Sequence, residues 1–100
     1  MAVVEVVVVP LGTKTPSVSK VVARVIEVLK EEPDLKYEST AMGTIIEGDL
    51  DRLMQVARRM HESAFSDDVM RVETLIRIDD RRDREVSIKG KLESLKREQA

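Results

Sequence analysis

The chain of 100 residues contains no cysteine and only two aromatic side chains, Tyr37 and Phe65. Without cysteine, neither a disulfide framework nor a thiolate metal site can form. With so few aromatic residues, the hydrophobic core has to be built from Val, Ile, Leu and Met. Asparagine is also absent and charged residues make up 36% of the chain, a bias that suits a heat-adapted source.

Long hydrophobic runs are missing as well. No apolar stretch reaches the roughly 20 residues of a membrane-spanning helix. The Val-rich run near the N-terminus lacks the basic flank and the small-residue cleavage site of a signal peptide. A net charge of −2 provides no overall attraction to nucleic acid or to anionic lipid. We therefore expect a cytoplasmic protein whose partners include neither nucleic acid nor membrane.

The spacing of apolar residues predicts four strands, two helices between them, and a terminal helix. They are a strand at Val3–Val9, a helix capped by Ser17 and ending before Pro33, strands at Leu35–Thr40 and Thr44–Glu47, a helix capped by Asp49 or Asp51, a strand at Met70–Ile78, and a short helix carrying Ile88, Leu92 and Leu95. We find no internal repeat and no linker, so residues 1–100 are expected to form a single domain.

The order β-α-β-β-α-β defines the fold class. Right-handed crossovers place both helices on the same face of a four-stranded antiparallel sheet. The sequence therefore predicts an α/β (α+β) protein with a ferredoxin-like βαββαβ fold and a short C-terminal helix.

The first strand predicts self-association. Because side chains alternate between the faces of a strand, Val4, Val6 and Val8 line one face, whereas Val3, Val7 and Val9 line the other. The two helices can cover only one of these faces. A second copy of the chain is the simplest cover for the other face, so we expect a homo-oligomer, with a tetramer favoured.

Few residues suggest catalysis. The chain has neither G-x-G-x-x-G nor a Walker A sequence, so it lacks a phosphate-binding glycine loop. His61 is the single histidine; it could carry a proton, but we interpret it as a half-buried helix residue. Glu47 and Asp49 could act as paired carboxylates, although Asp49 is more simply explained as a helix cap.

Seven consecutive charged residues span positions 79–85. Their signs alternate and nearly cancel, which favours a salt-bridged surface or a subunit contact over a phosphate site. Sheets of this fold also bind RNA through surface aromatic residues. No Phe or Tyr lies on the strands that would form such a platform, so we reject RNA binding.

Three segments together resemble a known family. They are Val9–Thr13 followed by Ser17 and Ser19, Met42–Gly48, and Ile78–Asp83. In this order and at these spacings they are similar to the small thiamine-binding (YkoF-like) domain family, long catalogued as an uncharacterised protein family. The resemblance covers essentially the whole chain. It implies a ferredoxin-like fold, a homotetramer of sheet-packed dimers, and binding of thiamine or its hydroxymethylpyrimidine moiety in some members.

A pocket for thiamine would need a carboxylate, hydroxyl groups and apolar contacts, because the ligand combines a cation with an aminopyrimidine ring. Glu47 is the expected carboxylate, with the hydroxyls of Thr13, Ser17 and Thr44 close to it. The full set of candidate ligand-binding residues is Thr13, Ser17, Ser19, Met42, Thr44, Ile46 and Glu47. We expect no cofactor, no metal and no catalytic residue.

Three hypotheses remain open at this point. The first is a binding protein for thiamine or its pyrimidine moiety that performs no catalysis. The second is an oligomeric regulatory or scaffolding module that senses another small metabolite. The third is an enzyme that uses Glu47 and His61, which is disfavoured by the scarcity of catalytic groups.

Overall fold

The computed structural model describes residues 1–13, 19–84 and 86–99. Seven elements follow one another along these ranges. They are β1 (Ala2–Leu11), α1 (Ser19–Lys30), β2 (Lys36–Ser39), β3 (Thr44–Gly48), α2 (Leu50–Ser63), β4 (Arg71–Asp80) and α3 (Ile88–Gln99). The four strands form one antiparallel sheet in the order β2-β3-β1-β4. This is the predicted ferredoxin-like α+β fold with an additional C-terminal helix.

Strand β1 lies at the centre of the sheet, but it has two neighbours over only half of its length. Ala2 to Val6 pair with β3 on one side and with β4 on the other. From Val7 to Leu11 the described ladder continues with β4 alone. The second half of β1 is therefore unpaired on the side that faces β3, although the strand lies at the centre of the sheet.

The hydrophobic core lies between the sheet and the helices α1 and α2; we call this side of the sheet the helix face. Val4 and Val6 of β1 and Ile46 of β3 are almost completely inaccessible to solvent. They pack in one cluster with the apolar stripes of both helices, including Leu29 and Leu53. The alternation that the sequence predicts for β1 is thus confirmed on this face.

Polar contacts fix the two helices against each other. The Arg24 guanidinium of α1 donates hydrogen bonds to the carbonyl oxygens of Ser63 and Ala64, at 3.0 and 3.1 Å. These carbonyls lie at the C-terminus of α2, where a cation is favourable. At the other end, the Asp49 carboxylate accepts from the Arg52 N–H at 3.4 Å, so Asp49 is the N-cap that the sequence offered as one of two choices.

The opposite side of the sheet, which we call the open face, is covered only in part. Val3, Glu5 and Val7 of β1 point to this side, together with Ile45 and Glu47 of β3. Helix α3 lies over part of it, and none of the residues that the structure describes in α3 is buried. Leu92 is 47% exposed and Leu95 is 54% exposed, so the predicted stripe docks only weakly.

The sequence misplaces some element boundaries. Pro10 was expected to end β1, yet it is buried within the strand and pairs with Val72. A proline is tolerated there because β1 is an edge at that point and one side of its ladder is missing. Strand β4 also extends to Asp80, two residues beyond the prediction. The predicted cap Ser17 lies outside the described residues.

Candidate ligand-binding site

A cavity of about 350 Å³ lies beside the second half of β1, where that strand has no partner on its inner edge. Helix α1 forms one wall through Val21, Val22 and Val25, and the connection between β2 and β3 forms another. The cavity exists because β3 begins only at Thr44, opposite Val6. Most of the lining is aliphatic, with the hydroxyl residues Ser39, Thr40 and Thr44 at the hairpin end.

Thr44 is the only buried polar residue among those the structure describes, with 6% of its surface exposed. It is the first residue of β3, and its register opposite Val6 places it on the helix face. No described residue forms a hydrogen bond with its hydroxyl, although the side chain lines the cavity. Among the described residues, no buried side-chain oxygen lacks a hydrogen-bond partner, so the Thr44 hydroxyl keeps some access to solvent. It is therefore a polar group that a ligand in the cavity can contact.

The hairpin between β2 and β3 is shaped by Thr40. Its hydroxyl accepts hydrogen bonds from the N–H groups of Met42 and Gly43, at 3.2 and 3.1 Å, and donates to the Gly43 carbonyl at 2.9 Å. These bonds close a tight turn. Thr40 therefore organises the wall of the cavity, and its hydroxyl is already occupied.

Gly43 is required by the close passage of β1. A Cβ atom at this position would lie 2.9 Å from a methyl group of Val7 and 3.0 Å from the backbone oxygen of Val6. The backbone oxygen cannot move without distorting the central strand. The glycine in the Met42–Gly48 segment thus lets the hairpin approach β1 and close the cavity.

The structure brings together only part of the predicted ligand-binding set. Met42 and Thr44 line the cavity, whereas Ile46 is completely buried in the core beneath it. Thr13 and Ser19 border the undescribed segment that joins β1 to α1, and Ser17 lies within that segment.

Glu47 lies elsewhere. Its register opposite Val3 places it on the open face, whereas Thr44 is on the helix face. The expected proximity of the Thr44 hydroxyl to the Glu47 carboxylate is therefore wrong, because three residues along a strand reverse the side-chain direction.

Glu47 has a partner within the chain. One carboxylate oxygen accepts a hydrogen bond from the backbone N–H of Ile88 at 3.0 Å. Ile88 is the first residue of α3, so the carboxylate satisfies an N–H group that a helix leaves unpaired and also opposes the positive end of the helix dipole. The Glu47 carboxylate, which the sequence predicts for the ligand pocket, is thus used to hold α3.

His61 is half-buried on α2, and its Nδ1 lies 2.7 Å from the Thr74 hydroxyl. Its ring also packs edge-on against Phe65, with 5.2 Å between the ring centroids. Thr74 is on the helix face, opposite Val8. His61 and Glu47 therefore lie on opposite sides of the sheet and cannot act on the same substrate atom.

The charged run contains the ion pairs predicted for it. Arg81 contacts the Asp83 carboxylate at 2.5 and 2.8 Å, and Arg82 contacts Asp80 at 3.0 Å. The hydrogen bond from Arg81 lowers the pKa of Asp83 to about 2. Lys91 of α3 forms a further ion pair with Asp79, which helps to join the run to the terminal helix.

Sequence reasoning missed Ser39, Thr40 and the aliphatic wall from α1. One signal was available in α1. Val21 and Val25 belong to the apolar stripe that covers the core, and Val22 lies beside that stripe, where a helix that only covers the core does not need an apolar side chain. Val22 is half exposed and lines the cavity.

Two general classes of site are absent from the described part of the chain. Within it, no three His, Asp or Glu side chains are placed to hold a metal ion together. None of the helices in the ranges 19–84 and 86–99 combines the length and the apolar character needed to cross a bilayer.

The fold and the cavity define a ferredoxin-like α+β domain with space for a small molecule beside its central strand. A comparison with family models gives the particular family: the chain belongs to the thiamine-binding protein family, whose model matches residues 4–96. The resemblance seen in the three sequence segments is therefore confirmed.

Relatives cover nearly the whole chain. The UPF0045 protein YqgV of Bacillus subtilis is 44% identical over an alignment of 98 residues that covers 95% of this chain and 94% of the relative. The solved structure of the hypothetical protein MJ1052 of Methanocaldococcus jannaschii is 45% identical, covers 94% of both chains and superposes with a TM-score of 0.84. A domain of unknown function, DUF77, from Bacillus cereus is 34% identical, covers 91% of this chain and 86% of that one, and has a TM-score of 0.80.

Proposed function

We propose that this protein binds thiamine or its hydroxymethylpyrimidine moiety and does not transform it. The observation that carries the proposal is a largely aliphatic cavity with the Thr44 hydroxyl in its lining, in a chain that belongs to the thiamine-binding family. The aminopyrimidine ring is the part of thiamine that such a cavity suits, because it has an apolar body and polar ring atoms.

The size and lining of the cavity support this assignment. Ligand pockets range from roughly 300 to 1,000 Å³, and a volume of about 350 Å³ suits one small ring system better than a large ligand. The aliphatic walls from β1 and α1 favour a flat ring, and the Thr44 hydroxyl can donate to a ring nitrogen or accept from the amino group.

Isothermal calorimetry with thiamine and with hydroxymethylpyrimidine tests the proposal. Thr44→Val keeps the shape of the side chain but removes the hydroxyl, so binding of both compounds is expected to weaken by about 3- to 10-fold. Thr74→Val is the matched control, because Thr74 is also on the helix face but contacts His61 rather than the cavity. If the wild-type protein binds neither compound, the proposal is wrong.

We also propose that the protein acts as a homo-oligomer, with a tetramer favoured. Leu75 on the open face is 54% exposed, and Val7 and Val9 beside it are only half-buried. Covering these side chains with a second copy would bury apolar surface that α3 leaves accessible. Light scattering at micromolar concentration is the test, and a stable monomer would contradict the proposal.

A further inference from the structure

The cavity beside β1 borders a stretch of the central strand that has a described neighbour on only one side. The ladder with β3 ends at the pair Val6–Thr44, whereas the ladder with β4 continues to Leu11. The residues from Val6 to Pro10 all line the cavity. An unpaired strand edge presents backbone N–H and C=O groups that can bind another molecule. The backbone of β1 is therefore a candidate part of the binding site, in addition to its side chains.

The direction of the Val6 carbonyl shows which backbone groups face the cavity. A Cβ atom at Gly43 would lie 3.0 Å from the Val6 oxygen and 3.7 Å from its carbonyl carbon, so this C=O group points toward the hairpin and away from β4. In an antiparallel strand, the N–H and C=O of one residue point to the same side, and this side alternates from residue to residue. The N–H and C=O of Val8 therefore point to the side where β3 has ended.

Pro10 supports this direction. It lies two residues after Val8, so its nitrogen points to the same side of the strand. Because proline has no N–H, it is tolerated in a strand where no ladder hydrogen bond is lost. Pro10 keeps its place opposite Val72 of β4, which fits a nitrogen that faces away from β4. Val8 thus presents both a donor and an acceptor to the cavity, whereas Pro10 presents an acceptor alone.

No described residue pairs with these two groups of Val8. The backbone hydrogen bonds that the described residues form outside the ladders include none to Val8. In the hairpin beside it, the N–H groups of Met42 and Gly43 already donate to the Thr40 hydroxyl. Val8 is also half-buried, and a backbone group that is partly removed from water is destabilising until it is paired. A ligand that carries an acceptor next to a donor would satisfy both groups at once.

We propose that the N–H and C=O of Val8 bind the edge of an aminopyrimidine ring on which a ring nitrogen adjoins the amino group. This inference rests on the proposed function and assigns the backbone group that recognises the ring. The ring nitrogen accepts a hydrogen bond from the Val8 N–H, and the amino group donates to the Val8 C=O. The ligand thereby continues the pattern by which a residue of β3 would pair with β1. The second ring nitrogen is left for the Thr44 hydroxyl.

Amide hydrogen exchange measured by NMR tests the proposal on the unchanged protein. In the free protein, the Val8 N–H should exchange faster than the N–H groups of Val7 and Val9, because those two face β4 and lie in its ladder. Saturating hydroxymethylpyrimidine should slow the exchange of the Val8 N–H by about tenfold or more, with a smaller effect on Val7 and Val9. Thiamine carries the same ring edge and should have the same effect.

A pair of substitutions at Val8 separates the backbone from the side chain. Val8→Pro removes the N–H without removing a bond of the described ladders, and the extended conformation of Val7 suits a following proline. Val8→Ala is the matched control, because it shortens the side chain but keeps the N–H. In calorimetry, Val8→Pro is expected to weaken the binding of hydroxymethylpyrimidine by about tenfold or more, and Val8→Ala should weaken it less.

A change in the ligand gives a third measurement, which needs no variant and decides the question if Val8→Pro does not fold. The analogue of hydroxymethylpyrimidine that lacks the amino group leaves the Val8 C=O unpaired. We expect it to bind the wild type about tenfold more weakly or worse.

The contrary outcomes are distinct. If hydroxymethylpyrimidine binds but the exchange of the Val8 N–H does not change, or if the analogue without the amino group binds equally well, the role of Val8 is overturned and the proposed function stands. Equal losses in Val8→Pro and Val8→Ala also overturn it. Slow exchange of the Val8 N–H in the free protein would do the same, because the edge would already be occupied, for example by a second copy. Binding of neither thiamine nor hydroxymethylpyrimidine overturns both proposals.

Discussion

The two faces of the sheet differ in how completely they are packed, and the neighbours Ile45 and Ile46 show the difference. Ile46 is fully buried among the helices, whereas Ile45, one residue earlier, is only half-buried on the open face. Stability is therefore concentrated on the helix face, where close packing fixes every side chain. The open face has fewer packing constraints and carries charged side chains such as Glu5 and Glu47.

The largest effect should come from truncating the two isoleucines in turn. Ile46→Ala leaves a cavity in the core and is expected to lower the free energy of unfolding by about 2–5 kcal/mol. Ile45→Ala should cost about 1 kcal/mol, because the side chain is already partly in contact with water. Urea unfolding at one fixed protein concentration measures both. Equal losses would contradict the comparison of the faces.

Gly43→Ala tests the place where the hairpin meets β1. The added methyl group would press on the Val6 backbone oxygen and on Val7, so we expect a loss of about 1–3 kcal/mol in the free energy of unfolding. Ala41→Ser in the same exposed hairpin is a suitable control. A Gly43→Ala variant as stable as the wild type would show that the hairpin can retreat from β1.

Glu47→Ala tests how α3 is held on the open face. Losing the carboxylate at the first turn of the helix should cost about 0.5–2 kcal/mol. The effect should be local, with faster amide hydrogen exchange in α3 and little change in β1 or α2. Glu47→Gln retains an acceptor oxygen and should show a smaller change. Uniformly faster exchange across the sheet would instead assign Glu47 to the core.

The smallest effect concerns the exposed pair Arg81–Asp83. The pKa of Asp83 is lowered from its ordinary 3.8 to about 2 by the Arg81 hydrogen bond. Since the folded-state pKa is the lower one, the pair contributes to stability above about pH 3.8, and the contribution is lost as the pH falls through about 2. In an NMR titration, Arg81→Ala should return the Asp83 pKa toward 3.8, whereas Arg82→Ala, whose partner is Asp80, should not.

The fold was largely predictable because it depends on patterns that a single sequence shows. The alternation in β1 and the helical spacing of Leu53, Val56 and Met60 in α2 each specify an element and its buried side. The end of β1 was not predictable, because Pro10 is acceptable only where the neighbouring strand is missing, and strand pairing is a tertiary fact.

The candidate site was less predictable than the fold. Met42 and Thr44 line the cavity. Glu47 was placed with them because it ends a strand that neighbours β1, without allowance for the change of face at each residue. Its partner, the Ile88 N–H, is 41 residues away along the chain, and no local pattern reveals such a contact. The cytoplasmic location, the heat-adapted source and the tetramer stay predictions.

The incomplete pairing of β1 also affects how the chain is made. On the ribosome, β1 emerges before the strand that pairs with it along its whole length, because β4 follows some sixty residues later. At ordinary rates of translation this delay lasts several seconds. During that time the second half of β1, from Val7 to Leu11, has no native neighbour among the described strands, which is the condition under which nascent chains associate. Overproduction of this protein is therefore expected to depend on chaperones that bind extended apolar segments, with β1 as the segment they hold.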